Sequence, residues 1–163
     1  NMNKKAIMWV GIGGLVACVV FGVAFLVLGG TFVNWVMQEP ENITVDVLAP
    51  ITVSKSEDFI LEVLITNTAS KEQEINSIDI DTSYLDGLAV INTTPKYTET
   101  FANNMLGQSF QSYYFTYAVP ANETTIVKFH MTALKSGDYS GEIAICINSG
   151  SNCTEHYLRT LVE

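Results

Sequence analysis

Phe59-Ile60-Leu61-Glu62-Val63-Leu64-Ile65-Thr66-Asn67 is the stretch whose reading decides the fold. Phe59, Leu61, Val63 and Ile65 fall on one side of an extended chain, and Glu62 and Thr66 on the other. Successive side chains of a strand point to opposite faces, so this two-residue period predicts a strand with one face in a core. Residues 124–132 repeat the pattern: Val127, Phe129 and Met131 alternate with Lys128 and His130. Outward from these two, alternating or β-branched segments predict strands over residues 43–48, 51–53, 74–81, 89–92, 110–119, 141–148 and 153–162. Turn residues separate them at 49–50, 54–58, 68–71, 86–87, 95, 120–122, 136–138 and 149–152. No sustained helical period appears in this part of the chain. So many short strands predict an all-β fold, an antiparallel immunoglobulin-like β-sandwich over residues 43–163.

The preceding stretch has a different solvent. Residues 6–37 contain no Asp, Glu, Lys or Arg. As a helix they extend roughly 48 Å, against about 30 Å of bilayer hydrocarbon, which predicts a single transmembrane α-helix. Lys4 and Lys5 precede it; Glu39, Glu41 and Asp46 follow, and the next basic residue is Lys55. Positive charge marks the cytoplasmic side, so residues 1–5 are expected inside and the sandwich outside the cytoplasm. Trp9 and Trp35 are expected at the two membrane interfaces, and residues 38–42, with Pro40, as a short linker. Gly11, Gly14, Cys18, Gly22, Phe25 and Gly29 advance by three or four positions and so share one helix face. Small residues let helix backbones approach closely in lipid, which makes this face a docking surface for another membrane helix, a copy of itself or part of a larger complex. The alternative is the ordinary abundance of glycine in membrane helices.

Processing bears on the same segment. The apolar run is twice the length of a cleaved secretory signal core, and residues 38–40 offer no small-residue cleavage site. Leu15-Val16-Ala17-Cys18 resembles a bacterial lipobox, but the apolar run continues past Cys18, which favours a buried helix thiol. Lys4-Lys5-Ala6 ahead of a long helix resembles the leader of archaeal pilins and archaellins; residues 1–5 are expected to be retained.

The 163 residues include 17 acidic and 8 basic ones. Setting aside Lys4 and Lys5 leaves 17 against 6, a net charge of −11 beyond the apolar run. That balance disfavours nucleic acid and anionic headgroups and favours solubility at a cell surface. Ala49-Pro50-Ile51-Thr52-Val53, Glu57-Asp58-Phe59 and the stretch from Leu61 to Thr68 resemble bacterial and archaeal cell-surface immunoglobulin-like modules of the CARDB type. Val119-Pro120-Ala121-Asn122-Glu123-Thr124-Thr125 resembles their Pro-x-Gly-Glu-Thr turn, with Ala121-Asn122 standing where glycine is frequent. The resemblance implies a stalk or interaction module and carries over no functional residue.

Cys146 and Cys153 bracket a turn-rich loop between two predicted strands. Paired as a hairpin, they lie close enough to oxidise, the expected state outside the cytoplasm. Such a disulfide contributes about 2–3 kcal/mol. Asn42, Asn92, Asn122 and Asn152 each open an Asn-x-Thr glycosylation pattern. His130 and His156 fit no nucleophile or metal-ligand pattern and are expected on exposed strand positions. Asp79, Asp81 and Asp86 have the oxygen-rich look of a calcium site, but a solvated sheet face is favoured because 79 and 81 alternate on a strand. No catalytic, metal or cofactor residue is expected. In residues 110–117 aromatics occupy both faces. One set belongs to the core; Tyr113, Phe115 and Tyr117, or their complement, form a contact patch for glycan or protein, unless the strand is central and covered on both sides. The function classes that remain are a non-enzymatic interaction or structural subunit, a pilin-like filament subunit whose helices bundle, and, least favoured, an envelope enzyme.

Overall fold

The strand that the alternation announces runs Asp58–Asn67 (β3), with Phe59, Leu61, Val63, Ile65 and Asn67 buried and the residues between them turned outward. A computed structural model describes residues 39–105 and 107–163. The expected helix over residues 6–37, Lys4 and Lys5, the anchors Trp9 and Trp35, and the face Gly11, Gly14, Cys18, Gly22, Phe25 and Gly29 lie outside the described residues. Among the described residues no helix is long and apolar enough to cross a membrane.

Around β3 the chain lays down β1 (Ile43–Leu48), β2 (Thr52–Val53), β4 (Gln73–Asp81), α1 (Thr82–Leu85), β5 (Leu88–Thr94), β6 (Glu99–Met105), β7 (Gln108–Val119), β8 (Thr124–Ala133), β9 (Gly137–Ile147) and β10 (Cys153–Val162). They form a β-sandwich of a four-stranded sheet, β1-β3-β8-β5, and a six-stranded sheet, β2-β10-β9-β4-β7-β6. The expectation of a purely antiparallel fold needs one correction. After β1 the chain crosses to the other sheet, where β2 runs parallel to β10, with Thr52 opposite Leu161 and Val53 opposite Val162.

The core is the space between the sheets. Leu61, Val63 and Ile65 of β3 and Val127, Phe129 and Met131 of β8 face Ile75, Ile78 and Ile80 of β4 and Ile143, Ile145 and Ile147 of β9. Each such side chain, fully buried, contributes about 1.5–3 kcal/mol. Tyr84 of α1 is also buried, and its hydroxyl lies 2.9 Å from Thr160 Oγ1. Thr160 donates its one proton to the Pro50 carbonyl at 2.9 Å, so Tyr84 is the donor in that pair. This chain of bonds ties α1 to β10 and to the crossing between β1 and β2.

At the end of the sandwich where β1 begins, Asn67 is fully buried and organises the turn after β3. Its Nδ2 reaches the carbonyls of Lys71 and Val119 at 2.8 and 3.0 Å, and its Oδ1 accepts from Ala69 N and Gln73 Nε2. Gln73 Nε2 also reaches the Glu41 carbonyl, Thr68 N donates to the Asn42 carbonyl, and Pro40 is buried. Residues 40–42 are therefore held on the sandwich. Where glycine is missing from the 120–122 turn, Asn122 adopts φ of 58°, a left-handed conformation that asparagine tolerates better than most residues.

Two elements go beyond the sequence reading. The short helix α1 spans only four residues, too few to display a period. Strand β6, Glu-Thr-Phe-Ala-Asn-Asn-Met, has no apolar alternation, because it lies at a sheet edge and sends little into the core.

Candidate interaction surface

The outer face of the six-stranded sheet concentrates the unusual chemistry. Its registers place Glu155, Ala144, Asp79, Ser112 and Phe101 in one row across β10, β9, β4, β7 and β6. The neighbouring row holds Cys153, Cys146, Ser77 and Tyr114. Cys146 and Cys153 sit directly opposite each other in the β9–β10 ladder and form a disulfide, with Cα atoms 4.0 Å apart.

Asp79 corrects the expectation of a solvated face. Its Oδ1 is buried and meets no donor, and Ser77 and Ser112 beside it are only 3% and 1% exposed. Oδ2 lies 3.9 Å from Cys146 Sγ; a disulfide sulfur carries no proton, so this is a contact and not a hydrogen bond. Burial pushes the Asp79 carboxyl above its ordinary range, and the hydroxyls of Ser112 and Ser77 oppose that shift. Asp81 instead accepts from Glu142 N at 2.9 Å, and Asp86 is exposed beyond α1. The three aspartates do not converge, and among the described residues no group of three or more His, Cys, Asp and Glu is arranged to hold a metal.

The aromatic patch is also corrected. Tyr113 and Phe115 are core: each packs edge-to-face on Phe129, at 5.3 and 6.5 Å between ring centres. Burial, with Tyr97 nearby, pushes the Tyr113 hydroxyl up to about 12. Tyr117 is exposed near the end of β7. The outward set is the complement, and there Tyr114 packs edge-to-face on Phe101 at 5.9 Å, with Phe101 53% exposed. Phe101 belongs to β6, so the sequence reading named only half of this pair. The β7 residues could be sorted between faces only once β8 was known to supply Phe129.

The histidines are less exposed than expected. His130 Nε2 lies 3.3 Å from Thr94 Oγ1, and His156 Nε2 is buried with no partner. Asn42, Asn92 and Asn122 are exposed, whereas Asn152 is half-buried beside the disulfide. An open groove of about 310 Å³ lies between α1 and the β6–β7 turn, lined by Asp81, Thr82, Ser83, Gly107, Gln108 and Ser109.

No protein-family model matches the chain, and no curated protein matches it. Among solved structures it is similar to AvmM, which catalyses macrocyclization in alchivemycin A biosynthesis: 10% identity over 78% of this chain and 95% of that one, with a TM-score of 0.51. Two other similar structures are the cupredoxin domain of amoB from Nitrosocaldus yellowstonii and a CARDB domain from Pyrococcus furiosus in complex with di-metal ions. The first has 10% identity, 78% and 90% coverage and a TM-score of 0.47. The second has 14% identity, 78% and 92% coverage and a TM-score of 0.44. At such identity the likeness to AvmM is one of fold alone.

Proposed function

We propose that this chain is a membrane-anchored, extracytoplasmic immunoglobulin-like module, a non-enzymatic structural or interaction subunit of a membrane or cell-surface assembly. The observation that carries the reading is the charge asymmetry around residues 6–37, with Lys4 and Lys5 on one side and Glu39, Glu41 and Asp46 on the other. The bilayer and other membrane helices are its partners through residues 6–37, and nucleic acid is not. An oxidised Cys146–Cys153 pair suits an extracytoplasmic domain.

The immunoglobulin-like assignment draws support from strand order. The β1-β3-β8-β5 sheet and the β10-β9-β4 portion of the other correspond to the four- and three-stranded sheets of a constant-type domain. The β6–β7 hairpin is then an insertion that widens the second sheet and brings Phe101 to Tyr114. This added face is the part of the domain best suited to contact a partner, because a half-exposed aromatic pair gains most from being covered.

Protease added outside intact cells tests the topology. It should digest residues 39–163 and leave the N-terminal segment; a C-terminal domain protected in the cytoplasm would overturn the reading. Lys4-Lys5-Ala6 favours a second reading, a pilin- or archaellin-like filament subunit. Mass spectrometry of the native N-terminus separates the two: a chain beginning at or after Ala6 supports the filament.

A further inference from the structure

Every open sheet needs its edges guarded, because the outer N–H and C=O groups of an edge strand are ready to pair with another chain. Three edges here are guarded. β2 has only two residues, and β5 is interrupted by a bulge between Val90 and Asn92. β1 carries Asp46 in its middle, so two antiparallel copies of β1 paired there bring their carboxylates together. The stretch of β10 left open beyond β2 carries Glu155 and the exposed Arg159–Asp138 ion pair.

β6 has none of these devices. Its seven residues pair with β7 without a register shift, from Glu99 opposite Tyr114 to Met105 opposite Gln108. It contains no Pro and no Lys, and its one charge, Glu99, stands at its first position. Phe101, Ala102 and Asn104 are exposed along it.

We propose that β6 is a strand-addition site whose occupant is β6 of a second copy of this chain, paired antiparallel about Ala102. The proposal rests on the reading of the chain as an assembly subunit, not on its topology. In this register Ala102 meets Ala102, Phe101 meets Asn103 and Thr100 meets Asn104. The two Glu99 carboxylates are carried to opposite ends, about 20 Å apart at 3.4 Å per residue. A parallel pairing places Glu99 beside Glu99 and is disfavoured. Edge pairing also suits a strongly acidic domain: it sets two copies side by side, where stacking face upon face brings their like charges together. The product is one continuous sheet with a Phe101–Tyr114 pair from each copy on the same face.

The test uses the full-length chain with Cys18→Ser, purified and reconstituted into lipid vesicles, then treated with a copper–phenanthroline oxidant so that the result does not depend on native topology. Directly opposed residues hold their Cβ atoms about 4.5–5.5 Å apart, close to disulfide reach. A102C should form a covalent dimer at least tenfold faster than I126C, which places the thiol at a 42%-exposed site on the other sheet. T100C and N104C should each form little dimer alone and a covalent heterodimer when mixed. If A102C crosslinks no faster than I126C, β6 is not the contact. If T100C dimerises alone as fast as A102C, the register is wrong. Either result leaves the protease test of topology standing.

Discussion

On the outer face of the four-stranded sheet Glu62 and Lys128 meet at 2.8 Å with their side chains 31% and 41% exposed, and Thr66 and Thr124 share a hydrogen bond at 2.8 Å. Across the outer face of the six-stranded sheet Asp79 holds a buried oxygen that meets no donor, between buried serines and a disulfide. Both faces mix polar and apolar residues, with Ile60, Leu64 and Ile126 on the first and Ala144 and Phe101 on the second. On the first the charged and hydroxyl groups meet in pairs that water screens, where a single polar change should matter little. The second is a polar layer partly withdrawn from water, where charge and covalent linkage should register in stability. Both carboxylates stand on internal strands, β4 between β7 and β9 and β3 between β1 and β8; the difference comes from what those neighbours place beside them, Ser112 and Ala144 beside Asp79 but the cation Lys128 beside Glu62.

The largest effect should come where the two sheets share a residue. Phe129→Ala removes the ring on which Tyr113 and Phe115 pack and should cost about 3–5 kcal/mol in denaturant unfolding. A loss under about 1 kcal/mol would mean that the sheets do not share one core. Next is the disulfide. Cys146→Ser with Cys153→Ser should lower stability by about 2–3 kcal/mol without abolishing the fold. Peptide mapping of the wild-type chain should recover the linked peptide; both thiols alkylated before reduction would refute the bond.

Asp79 separates the two faces by pH. Its folded pKa lies above the ordinary 3.8, so the folded chain holds that proton more tightly than the unfolded one. Its contribution to stability is fully present below pH 3.8 and is lost as pH rises through the raised value. Asp79→Asn should therefore melt higher than wild type at pH 7, with the gap closing as pH falls toward 3.8. Parallel melting curves over that window would show that Asp79 is not the responsible group. The smallest effect belongs to the other face: Glu62→Ala should cost about 0.2–1 kcal/mol and less at high salt. A cost comparable to that of the disulfide would erase the contrast.

Alternation is a local signal, and it was sufficient for β3 and β8, because each keeps one side in the core and one in water. The same locality made Cys146 and Cys153 legible, since two strands joined by a short loop have few other ways to meet. Residues 6–37 contain no Asp, Glu, Lys or Arg, and it is from this composition alone that the proposal of a membrane anchor starts. Tertiary structure decided the rest. β6 has no buried face to create a period, so only its pairing with β7 reveals it as a strand. Tyr113 and Phe115 could be sorted from Tyr114 only by the position of Phe129 in the opposite sheet. Asp79 and Glu62 are both acidic residues on internal strands; which one leaves water depends on which residues the neighbouring strands place beside it, Ser112 and Ala144 or Lys128, a pairing no local stretch of sequence contains.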